Sequence, residues 1–209
     1  MTIQSGGRRA PSAYEPPLMS FEDFHDWLDE DKRAEWVDGV IIEKSPSNLG
    51  HQRILRFLVM LVGTYVECWQ LGEIVLPPML MRLSTRPSGR EPDLMFVANA
   101  HLDWLTRSFA DGPADLVVEI VSPDSVVRDG RDKLLEYEQA GVPEYWIIDE
   151  LRDEVRFYVL NQDGRYQRVP VGDDGIYASD VLPGFRMRVN WLWQRPLPTL
   201  DEARADLPV

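Results

Sequence analysis

The chain has 209 residues, 44% hydrophobic and 27% charged, which suits one soluble globular domain with a full core. No apolar run approaches the ~18–20 residues that span a bilayer, and the single cysteine, Cys68, excludes an internal disulfide and a cysteine-based zinc site. A net charge of −13, from 35 acids against 22 bases, argues against generic nucleic-acid binding, which leaves a basic footprint.

Residues 1–17 are polar, carry Gly6-Gly7-Arg8-Arg9 and contain no apolar core segment. They read as a disordered lead-in rather than a secretory signal, so the expected compartment is the cytoplasm. The acidic excess is uneven. Residues 22–43 hold nine Asp/Glu against two Lys/Arg, whereas Arg82, Arg86, Arg90, Arg107, Arg128, Arg131 and Lys133 gather around later strands.

Ser20, with an acid three residues on and Phe21, Phe24, Trp27 and Leu28 at helical spacing, predicts a capped helix over Ser20–Glu30. Asp38-Gly39 between Glu35-Trp-Val and Val40-Ile-Ile-Glu43 predicts a hairpin. A long helix with a wide apolar face follows over His51–Gln70, with Cys68 expected as a buried thiol and Gly72 as the terminator. Ile74–Leu76 and Met79–Leu83 are strand-like around Pro77-Pro78, and Thr85–Gly89 reads as a loop. Glu91–Val97 is a buried-looking strand that opens on an acid, and His101–Ala110 a short helix or irregular segment.

Asp115–Val121 reads as a buried strand, broken by Ser122-Pro123-Asp124. A helix from Asp129 as N-cap to Ala140-Gly141 and a strand over Glu144–Asp149 complete a βαβ unit, whose strands should be parallel. Val155–Leu160 and Arg165–Val169 form a hairpin at the far edge, followed by a strand or turn pair over Ile176–Leu182 and Phe185–Val189. Residues 191–209 are a proline-rich tail with a helix near Leu200–Ala205, leaving 18–190 as the single domain. Trp36, Trp146, Trp191 and Trp193 suit the core or a subunit interface.

Asp93 and Glu119 are acids placed at or inside apolar strands, where a carboxylate is costly to bury without a partner. Projecting into one pocket, they would repel unless a cation lay between them. A hard divalent ion such as Mg²⁺ supplies that charge and can activate water toward a phosphodiester. Lys133, near the start of the following helix, would stabilise the charge that builds up on phosphorus. Each residue also has an ordinary structural role open to it: a turn acid after Pro92, a buried salt bridge, and a surface lysine paired with Asp129. Glu43 and His51 are weaker candidates for positioning metal or water, and Glu35 suits a sheet-edge salt bridge.

Several stretches together carry a resemblance: Glu35-Trp-Val-Asp-Gly-Val-Ile-Ile-Glu-Lys-Ser-Pro-Ser, His51-Gln-Arg-Ile, Glu91-Pro-Asp-Leu-Met-Phe-Val, Asp115-Leu-Val-Val-Glu-Ile-Val-Ser-Pro-Asp-Ser and Asp132–Asp149. In this order and spacing the chain resembles the Uma-type restriction-endonuclease branch of the PD-(D/E)XK nuclease superfamily. The resemblance implies an α/β fold with a restriction-endonuclease-like core, a mixed central β-sheet flanked by helices. It implies Mg²⁺, or Mn²⁺ in its place, held by Asp93 and Glu119, with DNA as substrate and a homodimer as the assembly. One departure stands out. The superfamily's lysine lies two residues after the glutamate, where this chain has Val121, so Lys133 on the next helix takes that role.

The leading expectation is a Mg²⁺-dependent endonuclease using Asp93, Glu119 and Lys133. The alternative is a non-catalytic nuclease-fold module for protein binding or self-association, since a fold does not guarantee activity. The acids alone also leave open a hydrolase of small phosphoesters. An NTPase and an acyl-transfer hydrolase are disfavoured, because the chain has neither a Gly-rich phosphate loop nor a G-x-S-x-G elbow.

Overall fold

Alternation of side chains along the central strands sorts the core into two layers, and the helices cover both. The structure is a computed structural model that describes residues 18–29, 31–121 and 131–205. The expected lead-in over 1–17, the break at 122–124 and the Asp129 cap lie outside those residues.

Helix α1 (Phe21–Trp27) starts where expected: the Ser20 hydroxyl accepts from the Asp23 N–H at 3.0 Å. Strands β1 (Ala34–Val37) and β2 (Val40–Glu43) pair antiparallel around Asp38 (φ 50°) and Gly39 (φ 88°). Two successive positive φ angles make the tight turn that an Asp-Gly pair favours. Helix α2 (Leu49–Trp69) is capped by Asn48, whose side chain accepts from the His51 N–H at 2.9 Å. It ends on Gln70 in the left-handed conformation (φ 50°) rather than on Gly72. Gly72 instead opens β3 (Gly72–Val75), where an added Cβ would lie 2.0 Å from the Val97 carbonyl oxygen. Cys68 is exposed, not buried as its place in the apolar pattern suggested, and so is Trp69: the buried face of α2 ends at Val66.

Strand β4 (Leu80–Leu83) is followed by β5 (Ser88–Arg90), a strand that takes in the last two residues of the segment expected as a loop. Its Ser-Gly-Arg sequence carries no strand signal, and pairing to neighbours on both sides makes it one. Then come β6 (Leu94–Ala98), a 3₁₀ turn over Asn99–Trp104, β7 (Phe109–Ala110) and β8 (Leu116–Val121). Helix α3 (Lys133–Ala140), closed by Gly141 at φ 83°, leads to β9 (Glu144–Asp149). The chain ends through β10 (Glu154–Leu160), β11 (Tyr166–Val169), β12 (Ile176–Ala178), β13 (Arg186–Arg188) and α4 (Leu200–Arg204).

The larger sheet has the order β11-β10-β9-β8-β6-β3. It is mixed: β8 and β9 run parallel, as the βαβ reading requires, and the other pairs are antiparallel. A second sheet, β2-β1-β5-β4-β7, draws strands from either side of α2. On β8, Leu116, Val118 and Ile120 join the core under α2, while Val117 and Val121 join the core with Tyr137 of α3 and Met81 and Leu83 of β4. Glu119 shares the second face by its odd register. Trp191, Leu192 and Ala203 pack into the α2 core, while Trp36 is buried beside α1. Among the described residues no helix is long and apolar enough to cross a membrane.

Candidate active site

The register of the two sheets brings charged residues distant in sequence to one buried cluster. The β6–β8 ladder pairs Leu94 with Val118, and one step further sets Asp93 opposite Glu119. In the second sheet Trp36 pairs with Gly89, so the next step sets Glu35 opposite Arg90. Helix α3 places Lys133, Glu136 and Tyr137 within one turn of one another, three and four residues apart.

Lys133 is not a surface lysine. It is 2% exposed, with its ammonium 2.7 Å from Glu119 Oε1 and 2.8 Å from Glu35 Oε1. The Tyr137 hydroxyl also donates to Glu119 Oε1, at 3.0 Å. Burial foremost, and then the Glu119 charge, raise the Tyr137 phenol well above its ordinary range, so it stays protonated as a donor.

Glu35 is 1% exposed and lies inside this cluster rather than at a sheet edge. Its Oε2 accepts from Arg90 Nη1 at 2.8 Å and its Oε1 from the Glu91 N–H at 3.3 Å. Burial alone would raise this carboxyl, but the charges of Lys133, Arg90 and Lys44 outweigh burial and hold it far below the usual carboxylate range. Arg90 grips Glu136 from the other side, with Nε at 3.0 Å from Oε1 and Nη2 at 2.6 Å from Oε2. Ser88, two residues before Arg90 on the same face of β5, donates to Glu136 as well.

Asp93 sits just ahead of β6. Its Oδ2 accepts from the Ile120 N–H at 2.7 Å, and its Oδ1 lies 3.1 Å from His51 Nε2. Burial would raise Asp93, yet the bond to His51 and the charges of His51 and Lys44, with the Ile120 N–H, lower it on balance. His51, delivered by the first turn of α2, is buried, and its Nδ1 finds no hydrogen-bond partner among the described residues. Glu91 is held by Arg33 and by Lys44, the latter at 3.3 Å. Together the carboxylates Glu35, Glu91, Asp93, Glu119 and Glu136 outnumber the cations Arg33, Lys44, Arg90 and Lys133 by one.

The structure therefore brings Asp93, Glu119, Lys133 and His51 to neighbouring positions at one end of the β6–β8 pair. Glu43 is exposed and instead lines a cleft of about 690 Å³ with Lys32, Arg33, Lys44 and Gln52. Arg82 and Arg86 turn to Glu22 and Asp38 at the surface, away from the cluster. Sequence reasoning missed Arg90 and Glu136. The usable signal was the Asp-Gly turn, which fixes β1, but nothing local shows that β5 pairs with it. Among the described residues no group of three or more His, Cys, Asp and Glu side chains is arranged to hold a metal ion.

The profile of the Uma2 family, described as "Putative restriction endonuclease", matches residues 21–190, which contain every residue of the cluster. The chain belongs to the Uma2 family. Its structure is also similar to the crystal structure of a "putative nuclease belonging to DUF820" from Anabaena variabilis ATCC 29413. The TM-score is 0.70 at 16% identity, covering 84% of this chain and 97% of that one. At that identity the likeness speaks for the fold alone, and together with the family match it gives a restriction-endonuclease-like α/β core with mixed sheets flanked by helices. No curated protein matches the chain.

Proposed function

We propose that this Uma2-family protein is a Mg²⁺-dependent endonuclease that hydrolyses DNA phosphodiester bonds, with Asp93, Glu119 and Lys133 as its catalytic residues. The observation that carries the reading is Lys133, an ammonium buried against Glu119 one strand away from Asp93. A buried lysine on a carboxylate beside a second carboxylate is a costly arrangement for a structural core, and a useful one for phosphoryl chemistry.

The donors present suit a hard cation. Mg²⁺ is commonly held by one or two carboxylates together with waters and substrate phosphate, not by a complete protein cage. Asp93 and Glu119 would hold it, with Mn²⁺ as a substitute. When bound, the ion would polarise the scissile phosphate and make water a better nucleophile. His51 and the Ile120 N–H fix the Asp93 carboxylate, and Tyr137 fixes that of Glu119. Lys133 offers its charge to the oxygens of the phosphorus centre as negative charge accumulates there. The protein would act in the cytoplasm as a homodimer, so that two sites meet the two strands of a duplex.

The test is cleavage of supercoiled and linear duplex DNA with Mg²⁺ or Mn²⁺. Asp93→Asn and Glu119→Gln should abolish cleavage, and Lys133→Met should slow it by about 10²–10³-fold. Light scattering should return a dimer. Wild-type rates in both carboxylate variants would sink the assignment.

A second reading has a specific observation in its favour. Glu119 Oε1 is already engaged by Lys133 and Tyr137, and no three-donor metal cluster exists among the described residues. A non-cleaving module for protein binding or self-association would keep that closed arrangement. It predicts no rise in melting temperature with Mg²⁺, whereas the nuclease reading predicts a rise that Glu119→Gln removes.

A further inference from the structure

Among the described residues, Lys133 faces two carboxylates that come from different sheets, and one of them belongs to the proposed cation site. Glu119 lies on β8 of the larger sheet, and Glu35 on β1 of the second. Glu35 has holding contacts of its own besides the lysine. Its strand is fixed by pairing to β2 and β5, Arg90 secures its other oxygen at 2.8 Å, and the Glu91 N–H also points at it. Arg90 in turn grips Glu136, on the same helix as Lys133 and one turn further along.

We propose that Glu35 is a positioning residue that retains Lys133 at the site when Glu119 turns from the lysine to a divalent cation. This inference rests on the reading of Asp93, Glu119 and Lys133 as a metal-dependent phosphodiesterase site. The physical requirement is simple. A buried ammonium left without a counter-charge is strongly unfavourable. If Glu119 were the sole partner, every cation entering the site would strand Lys133, and cation affinity would fall accordingly. With Glu35 fixed at 2.8 Å, the lysine keeps a carboxylate while Glu119 changes partner. The flexible four-carbon stem lets the ammonium follow Glu35 without leaving the cluster.

The experiment is Mn²⁺ binding to the metal-free protein, followed by electron paramagnetic resonance of the free ion, for wild type, Glu35→Gln, Lys133→Met and the double variant. Melting curves of all four check folding. Glu35→Gln should weaken Mn²⁺ by about tenfold while Lys133 is present, and by less than about threefold in the Lys133→Met background. Lys133→Met alone should tighten Mn²⁺, since it removes the competitor for Glu119. Glu35→Asp, which keeps the charge, should recover part of the affinity and covers the case in which Glu35→Gln does not fold. Equal loss in both backgrounds would overturn the inference, because Glu35 would then act as a distant charge and not through the lysine. No effect of Glu35→Gln would also overturn it. If the wild type takes up no Mn²⁺ at all, the nuclease reading itself fails and the inference falls with it.

Discussion

Among the described residues, charge in the buried cluster is arranged as a chain of ion pairs, Glu136 to Arg90 to Glu35 to Lys133 to Glu119, in which each inner member joins two oppositely charged neighbours. Removing Arg90 would leave two buried carboxylates without it, so Arg90→Met should lower unfolding free energy by about 3–5 kcal/mol in denaturant titrations. The triple variant Arg90→Met, Glu35→Gln, Glu136→Gln should be less damaged than Arg90→Met alone, because no uncompensated charge remains at that end of the chain. Acid should act through Glu35. Its folded pKa lies below its ordinary value of 4.5, so the stability it contributes is complete above that value and is lost as pH falls through the depressed one. The stability gap between wild type and Glu35→Gln should therefore be flat above about pH 5 and shrink in more acid solution. Asp93 and Glu119 were legible as candidates because acids in apolar strands stand out locally, and Lys133 through its place on the next helix and the family resemblance. Glu35 was visible but misplaced at an edge, and Arg90 was not singled out, because their meaning lies in a pairing 55 residues apart.

Short elements decide where those residues stand. The β1–β2 turn fixes the strand that carries Glu35, and it needs a left-handed residue at Gly39. Gly39→Ala should cost about 1 kcal/mol from backbone conformation alone, and more because its Cβ would lie 2.7 Å from that of Leu18. Helix α2 offers the opposite case. Its last turn closes on Gln70 in the left-handed region, a position where a side chain is strained and glycine is not. Gln70→Gly should raise the melting temperature, with a gain of up to about 1 kcal/mol at equilibrium. The helix pattern and the Asp-Gly turn were legible in the sequence, as was the βαβ unit. The exact terminator of α2 and the strand β5 were not. Glycine preference suggested Gly72 over Gln70, and a three-residue strand with a central glycine becomes a strand only through its neighbours.

At the scale of the molecule, α2 lies against one face of the larger sheet, and the C-terminal segment completes that core with Trp191, Leu192 and Ala203. Ending the chain after Asn190 should uncover this surface. Each fully buried large apolar side chain contributes roughly 1.5–3 kcal/mol, so the truncated protein should melt well below the full chain or fail to accumulate as soluble material. The net charge of −13 described the surface as a whole and carried little information about the site, where cations and carboxylates nearly balance.

Local chemistry, by itself, determined most of the strands and helices, that β8 and β9 are parallel through their crossover, and that Asp93 and Glu119 are acids in apolar surroundings. Those properties depend on periodicity, turn residues and burial cost, all of which act over a few residues. The tertiary structure alone decided that Lys133 turns inward, that Glu35 and Arg90 meet it, and that Glu43 stays outside. These contacts depend on the register between strands far apart in the chain, and on a second sheet that no run of neighbouring residues announces.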